Sequence, residues 1–354
     1  MIQRAFTQLV QGLTDWLARL ARPSGLTFQG AADSEFLTGN AATVKRFKRD
    51  LWEEAVREIY FGKFMGKSQD FIIEEAEDLE GVPGDAMTFY LGRKLTGAGI
   101  ADDADLETNE EAPDTYTDTV TLSQLRNAIR LKGKLSERRT AFSQRDRAKG
   151  LLKVWLAETI DDDIFTQFDS SPTTVIYGGN ATATANIGSD DKFTLSLIDK
   201  AVAQAKKTTP KIWGAKVGNK RRYVCCIHTD IEYDLRRDAE YQELQREIGP
   251  RDEDNPIFSD MLGVYNNTVI HAHEKIPIAT TWGSDSAQTG ASNFFLGRQA
   301  GLFAWGSRPE WWEKSFDYAN KTGFAIGATW DMTKAVFNSA DHAFRSIRTF
   351  RTNN

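Results

Sequence analysis

Several groups of residues have the types that could do chemistry. Gly62-Lys63-Phe64-Met65-Gly66-Lys67-Ser68 approaches the glycine-rich loop that wraps phosphate in successive backbone N–H groups and closes on Lys and Ser. It has only Lys63, Phe64 and Met65 between its glycines, one residue fewer than that loop needs, and is expected to stop a helix instead. His271 and His273 fall on one face of a predicted strand, and His228 lies near Cys225 and Cys226, all of them metal-binding types. The order Cys-Cys-x-His puts ligands on alternating faces and matches no zinc spacing, so structural histidines and no metal are expected. The carboxylates of Asp161-Asp162-Asp163, of Asp102 to Glu111 and of Asp252-Glu253-Asp254 could serve acid/base work or bind cations. The first three spread around a helix and the rest fall in loops, so solvated faces are expected. With no Gly-x-Ser-x-Gly elbow and no dinucleotide fingerprint, the sequence assigns no catalytic residue and no cofactor, and the chain is read as no enzyme.

The elements that would position such residues are those of a soluble globular chain. Its 354 residues, 40% hydrophobic and 27% charged, suffice for two packed domains. Ile2, Phe6, Leu9, Leu13, Trp16, Leu17 and Leu20 recur at helical spacing, but polar residues interrupt them, which predicts a packing arm and no membrane partner. A net charge of -6 argues against a general nucleic-acid binder while leaving room for local basic clusters. Cys225 and Cys226 sit in an apolar strand pattern, pointing to opposite faces, and are expected as free thiols in a reducing compartment.

After a linker over residues 22–40, Thr43 is expected to cap a helix with Phe47, Leu51, Ala55 and Ile59 on one face. The strongest helix signal has Ser143 as N-cap, Asp146 in the first turn and Leu152, Trp155, Leu156, Ile160, Ile164 and Phe168 along one side. Run from Gln144 to Phe168, it would span roughly 37 Å. Ser170 to Ser189 reads as a loop, Thr194 to Lys207 as a helix, Arg222 to His228 as a strand and Asp230 to Ile248 as one helix. Asn267 to His273 and Asn293 to Leu296 read as strands around a flexible loop from Trp282 to Ser292. Two long alternating runs, Glu310 to Tyr318 and Phe324 to Phe337, form a hairpin in which Gly323 is available for positive φ.

The remaining stretch, Phe71 to Leu135, has strand-forming residues without an evident apolar complement of its own. Met87, Phe89 and Leu91 share one face of its first leg, and Tyr116, Val120 and Leu122 one face of its return leg, with a bulge or bend expected near Ser123-Gln124. Between the legs lies an acidic tip that includes Asp102, Asp103 and Asp105. A lone two-stranded ribbon is marginal in water, so these apolar residues are expected to bury against a second copy of the chain.

Taken in order, Asp50-Leu51-Trp52-Glu53-Glu54-Ala55, Thr119-Val120-Thr121-Leu122-Ser123-Gln124-Leu125, Gly263-Val264 to Ile276-Pro277, Asn293-Phe294-Phe295-Leu296-Gly297-Arg298-Gln299-Ala300, and Asp317-Tyr318-Ala319-Asn320 leading to Gly323-Phe324-Ala325-Ile326-Gly327 resemble the major capsid proteins of tailed bacteriophages. The branch is the one typified by a short-tailed phage with a virion-borne polymerase. The resemblance implies an α+β fold, the Hong Kong phage capsid fold, with an N-terminal arm and helix (1–69), an extended loop hairpin (70–140), a peripheral domain with a long spine helix (141–189 and 310–354) and an axial domain (190–309). It implies a subunit that self-assembles through hexamers and pentamers into an icosahedral shell around double-stranded DNA, held without sequence-specific binding. Location in the virion, assembly in the bacterial cytoplasm, separate scaffold and portal proteins, and room for a decoration protein follow from the same likeness. The acidic tip would meet a neighbour's basic surface of Arg138, Arg139, Arg145, Arg147 and Lys149. A tail or portal component, or a compartment shell of the same fold, is the alternative reading.

Overall fold

The spine helix forms where its spacing placed it. In a computed structural model that describes residues 59–77, 84–92, 95, 97, 99–102, 105–107, 110–139, 143–217, 220–247 and 261–352, it runs Gln144–Asp169. Ser143 Oγ accepts from the Asp146 N–H at 3.2 Å, satisfying a donor that the first helical turn leaves unpaired. Leu152, Leu156, Ile160, Ile164 and Phe168 are buried along one side. At the far end, the Lys334 ammonium donates to Ser170 O (2.6 Å) and Ser171 O (3.2 Å) and pairs with buried Asp341 at 2.8 Å, so a cation closes the carboxyl end of the helix. The amphipathic arm, the linker, the residues 43–58 of the capped helix, Asp103, Ile248 and Asp252-Glu253-Asp254 lie outside the described residues.

Beside this helix stands a five-stranded sheet, ordered Met65–Gly66, Ile73–Ala76, Gly301–Phe316, Lys321–Lys334 and Ser123–Arg130. Phe324, Ile326, Ala328, Trp330 and Met332 alternate into the core along the fourth strand, the face that a period of two predicts. Its hairpin turn differs from expectation. Asp317, Tyr318 and Ala319, at φ 53°, 49° and 61°, take the left-handed conformations, while Gly323 lies in the paired strand opposite Lys314. The expected bend also falls one residue early: the strand Thr115–Thr121 ends, Leu122 N–H donates to Asp85 O (2.8 Å), and Ser123–Arg130 joins the five-stranded sheet.

An eight-stranded sheet has as its main path Val175–Tyr177, Phe344–Phe350, Gln288–Leu296, Lys220–Ile227, Thr268–Ala272 and Met261–Tyr265, with Ile278–Trp282 and Ala215–Val217 paired at its sides. It draws strands from segments expected in both the peripheral and the axial domains. The helix Leu195–Lys207 buries Leu195, Ile198, Val202 and Ala205, as its spacing predicts. Cys225 and Cys226 are free and buried, and desolvation pushes the Cys226 thiol up to about 11. Three expectations are corrected. The helix expected over 230–248 is two, Thr229–Leu235 and Ala239–Glu247, because Asp238 Oδ1 accepts from the Glu240 N–H (3.2 Å) and starts a second helix. The expected loop after Ser170 contains the strand Val175–Tyr177, and that from Trp282 to Ser292 is largely strand. In the latter, the Trp282 ring lies so close over Gly290 that a Cβ there would stand 2.0 Å from it, an approach only glycine allows.

The acidic run on the spine helix is not uniformly solvated. Asp161 is buried, and its carboxylate accepts from Tyr60 N (2.8 Å) and Phe61 N (3.2 Å), capping the 3-10 turn Tyr60–Phe64. Burial pushes Asp161 up to about 6 despite those donors and nearby Lys275; burial and then Asp331 push half-buried Asp163 up to about 6 as well. Only Asp162 is exposed, paired with Lys275 at 2.7 Å. Because an unfolded Asp releases its proton near 3.8 and the folded Asp161 near 6, the folded state binds more protons between those values, and stability falls as pH rises through that window. In thermal melts, Asp161→Ala is expected to cost about 2 kcal/mol or more by leaving two buried N–H groups unpaired, and Asp161→Asn less. Wild type is expected to gain stability relative to Asp161→Asn on acidification from neutral pH toward 4; a flat difference would contradict this assignment.

Candidate assembly surface

None of the sequences with chemical types converges on a reaction centre among the described residues. Tyr60–Phe64 is a 3-10 turn and Met65–Gly66 a two-residue strand, so Gly62 to Ser68 has no strand-to-helix phosphate turn; the helix expected to stop there lies outside the described residues. His271 is buried with its ring edge-on to Phe64 (5.3 Å), and His273 stacks on Phe165 (4.9 Å), where burial lowers it to about 4. His228 Nδ1 accepts from the Asp230 N–H (3.1 Å) as a helix cap. These are packing and capping roles.

The extended ribbon pairs Ala86–Gly92 with Thr115–Thr121, setting Met87 opposite Val120, Phe89 opposite Asp118 and Leu91 opposite Tyr116. The expected face is therefore real, but its cover comes from the same chain. Phe89 and Val120 are 7% and 0% exposed against Leu302, Ala304, Ala335 and Phe337, with Met87, Leu91, Tyr116 and Leu122 packed around them. Asp118, on this same face, accepts from the Val336 N–H at 2.9 Å and pins the ribbon to the body. Phe89 and Val120 thus pack within the subunit, while Met87, Leu91, Tyr116 and Leu122, on the same face, stay half-buried. Strands more than 180 residues away in sequence complete this face, beyond the reach of any local pattern.

Farther out, the described residues of the ribbon are exposed. Leu95, Ile100 and Leu106 are 57%, 40% and 62% exposed, and Asp102, Asp105, Glu107, Glu110 and Glu111 stand in solvent around them. Glu111 Oε2 accepts from the Gly97 N–H at 2.7 Å and ties the two sides of the tip together. From Leu95 to Leu125 the chain has eight carboxylates and no Lys or Arg, so nothing within the tip neutralises it. The next segment reverses this: Arg126 to Lys153 contains ten basic residues against Glu137 and Asp146. Of the expected basic set, Arg138, Arg139, Arg145 and Arg147 are exposed and Lys149 half-buried, at the short helix Lys134–Arg138 and the start of the spine helix. Arg145 pairs with Glu313 of its own chain at 2.5 Å. The Lys134 N–H donates to Asn320 O (3.1 Å), which seats the short helix on the tip of the long hairpin.

Sequence reasoning passed over Glu74, Glu75 and Glu77, which line a groove of about 600 Å³ between Ile73–Ala76 and the ribbon. Each has a partner within the chain: Gln299 Nε2 and Trp305 Nε1, both at 2.7 Å, for the first two, and Lys67 (2.6 Å) and Arg308 for Glu77. They brace the ribbon's root. The clustering of three Glu in Ile72-Ile73-Glu74-Glu75-Ala76-Glu77 was the available signal, but it reads equally as an exposed strand end.

A profile of the phage capsid protein family matches residues 35–174 and 170–350, nearly the whole described body. The chain belongs to that family. The major capsid protein of Pseudomonas phage KPP25 is 25% identical over 348 residues, covering 86% of this chain and 91% of that protein. Among solved structures, the capsid of Ralstonia phage GP4 aligns with a TM-score of 0.75 at 27% identity, over 83% of this chain and 92% of that one. The cyanophage Pam1 capsid aligns at 0.74 and 20% identity, over 84% and 94%. The fold is thus that of tailed-phage capsid subunits, mixed α and β. In this capsid chain the ribbon's root is part of the subunit's own core. Phe89→Ala is therefore expected to destabilise the unassembled subunit itself by about 3 kcal/mol in urea unfolding, rather than to weaken only its assembly. An unfolding curve unchanged from wild type would return Phe89 to the contact between copies.

Proposed function

We propose that the protein is the major subunit of an icosahedral shell that encloses the double-stranded DNA of a tailed phage. The observation that carries this is the alignment with capsid subunits, covering most of both chains. The shell is built from hexamers and pentamers, with separate scaffold and portal proteins and room for a decoration protein, is assembled in the bacterial cytoplasm and resides in the virion. The chain has no catalytic role. The divisions 1–69, 70–140, 141–189 with 310–354, and 190–309 serve as arm, extended loop, peripheral and axial domains. The narrower placement, with short-tailed phages that carry a virion-borne polymerase, rests on the ordered sequence segments.

Contact between copies runs through the ribbon's tip. Asp102, Asp103 and Asp105, with the carboxylates beside them, face the neighbour's Arg138, Arg139, Arg145, Arg147 and Lys149, while Leu95, Ile100 and Leu106 supply apolar area worth about 25 cal/mol per Å² once covered. Exposed ion pairs contribute only about 0–1 kcal/mol each, so the charges set register and encounter more than strength. Many such modest contacts per shell give closure that is cooperative and correctable.

Electron microscopy of the expressed chain tests the function: closed shells are expected, tubes or rings would favour a tail or portal component, and closed shells that never take up DNA a compartment. Reversing Asp102, Asp103 and Asp105 to Lys is expected to lower shell yield severalfold and to flatten its salt dependence. Unchanged yield and unchanged salt dependence would remove the tip from the contact.

A further inference from the structure

A second charge block stands apart from the tip. From Lys200 to Thr229 the chain has eight Lys or Arg and no Asp or Glu, in a protein of net charge -6. The strand Ala215–Val217 pairs with the start of Lys220–Ile227, placing Lys216 directly across from Arg221. Trp213 lies at the same surface, 44% exposed, with Lys211 Nζ 4.3 Å and Arg221 Cζ 5.4 Å from its ring centre. Lys206 and Lys207 end the helix that leads into this segment, where they also suit its carboxyl end.

The patch is rigidly held. Buried Ile212 anchors it, and Tyr223 Oη donates to Ile212 O at 3.0 Å. Arg298 N donates to Trp213 O (2.9 Å) and Lys216 N to Asp70 O (3.0 Å). Gly214 lets the segment lie flush on its neighbour, since a Cβ there would stand 2.6 Å from the Arg222 carbonyl carbon. Asp70 pairs with Arg221 (3.4 Å) and Arg298 (3.6 Å). Among the described residues no carboxylate stands within ion-pair reach of Lys211, Lys216 or Lys220, which remain exposed. The exposed indole thus sits between Lys211, which has no carboxylate partner among the described residues, and Arg221, which shares Asp70 with Arg298, and the three lysines leave the surface positively charged.

We infer that this face contacts the phosphate backbone of duplex DNA, without reading sequence. It rests on the shell reading above, and it names the side of the subunit that meets the enclosed DNA. The block has six Lys to two Arg. Contacts between proteins are depleted in Lys and enriched in Arg, whereas lysine serves phosphate as a hydrated point charge. That composition favours DNA over the acidic tip of another copy. Arg221 is engaged by Asp70 and the Trp213 ring, and the exposed cations are lysines suited to phosphate, so the contact is weak, local and salt-sensitive. A net negative subunit with one such patch touches DNA without gripping it along the whole wall.

The test uses the full-length unassembled subunit and a labelled short duplex of random sequence, with affinity measured by anisotropy between roughly 50 and 200 mM salt. Wild type is expected to bind with a steep salt dependence. Lys211→Gln, Lys216→Gln and Lys220→Gln together should cut the log–log slope by roughly 3 and weaken binding at least tenfold, while Arg138→Gln with Arg139→Gln leaves the slope unchanged. The triple variant should still form shells, which keeps this inference separable from the shell reading. Equal binding by the triple variant and wild type, or no binding by wild type, would overturn the assignment. Loss of shells in the triple variant without any change in DNA affinity would make the face a contact between copies and overturn it too.

Discussion

A two-stranded ribbon is stable in water only when one of its faces is covered, and that constraint shapes this subunit. Here the cover is internal. Val120 is fully buried and Phe89 nearly so, against Leu302, Ala304, Ala335 and Phe337, while Asp118 holds the Val336 backbone. The ribbon's root therefore moves with the long hairpin, and through it with the spine helix that packs on Lys321–Lys334. A rigid root gives a defined direction to the acidic tip, whose described residues stand exposed. In the proposed shell, the part of the loop that meets a neighbour is a short, charged end with a few exposed apolar side chains, carried on a structure already folded.

Polar groups do comparable work inside the body. Asp161 fixes the turn Tyr60–Phe64 against the spine helix, and Lys334 with Asp341 fixes the other end of that helix to the close of the long strand. Both devices tie segments more than 100 residues apart to one helix. Buried ionic groups such as these add little net stability over apolar packing, but they penalise any arrangement that leaves them unpaired. A subunit that must present the same contact geometry in every copy benefits from that penalty.

How much of this was legible in the sequence depended on distance along the chain. The spine helix and its Ser143 cap, the helix ending at Lys207 and the inward run Phe324 to Met332 were legible because each pattern is local. Residues 87, 89, 91, 116, 120 and 122 were recognised as one apolar face, yet the cover their own chain gives them was not, since Leu302 and Phe337 cannot be linked to them by spacing. Asp161 was missed for the same reason: a run of three Asp looks solvated until Tyr60 and Phe61 approach from 100 residues upstream. Asp238 as a helix start and Gly290 beneath Trp282 were errors of a different kind, where one local capping or close-packing contact outweighed propensity. Of the candidate surface, the acidic tip and the basic set were both legible as charge blocks, and both lie exposed where described.

Hydrogen exchange of the unassembled subunit and of assembled shells measures the division between root and tip most directly. Amides of Met87 to Leu91 and Tyr116 to Thr121 should be protected in both states, and those of the acidic tip, residues 95–111, only in shells. A root that exchanges freely until shells form would mean that a second copy, not its own chain, covers the ribbon, and would contradict the account.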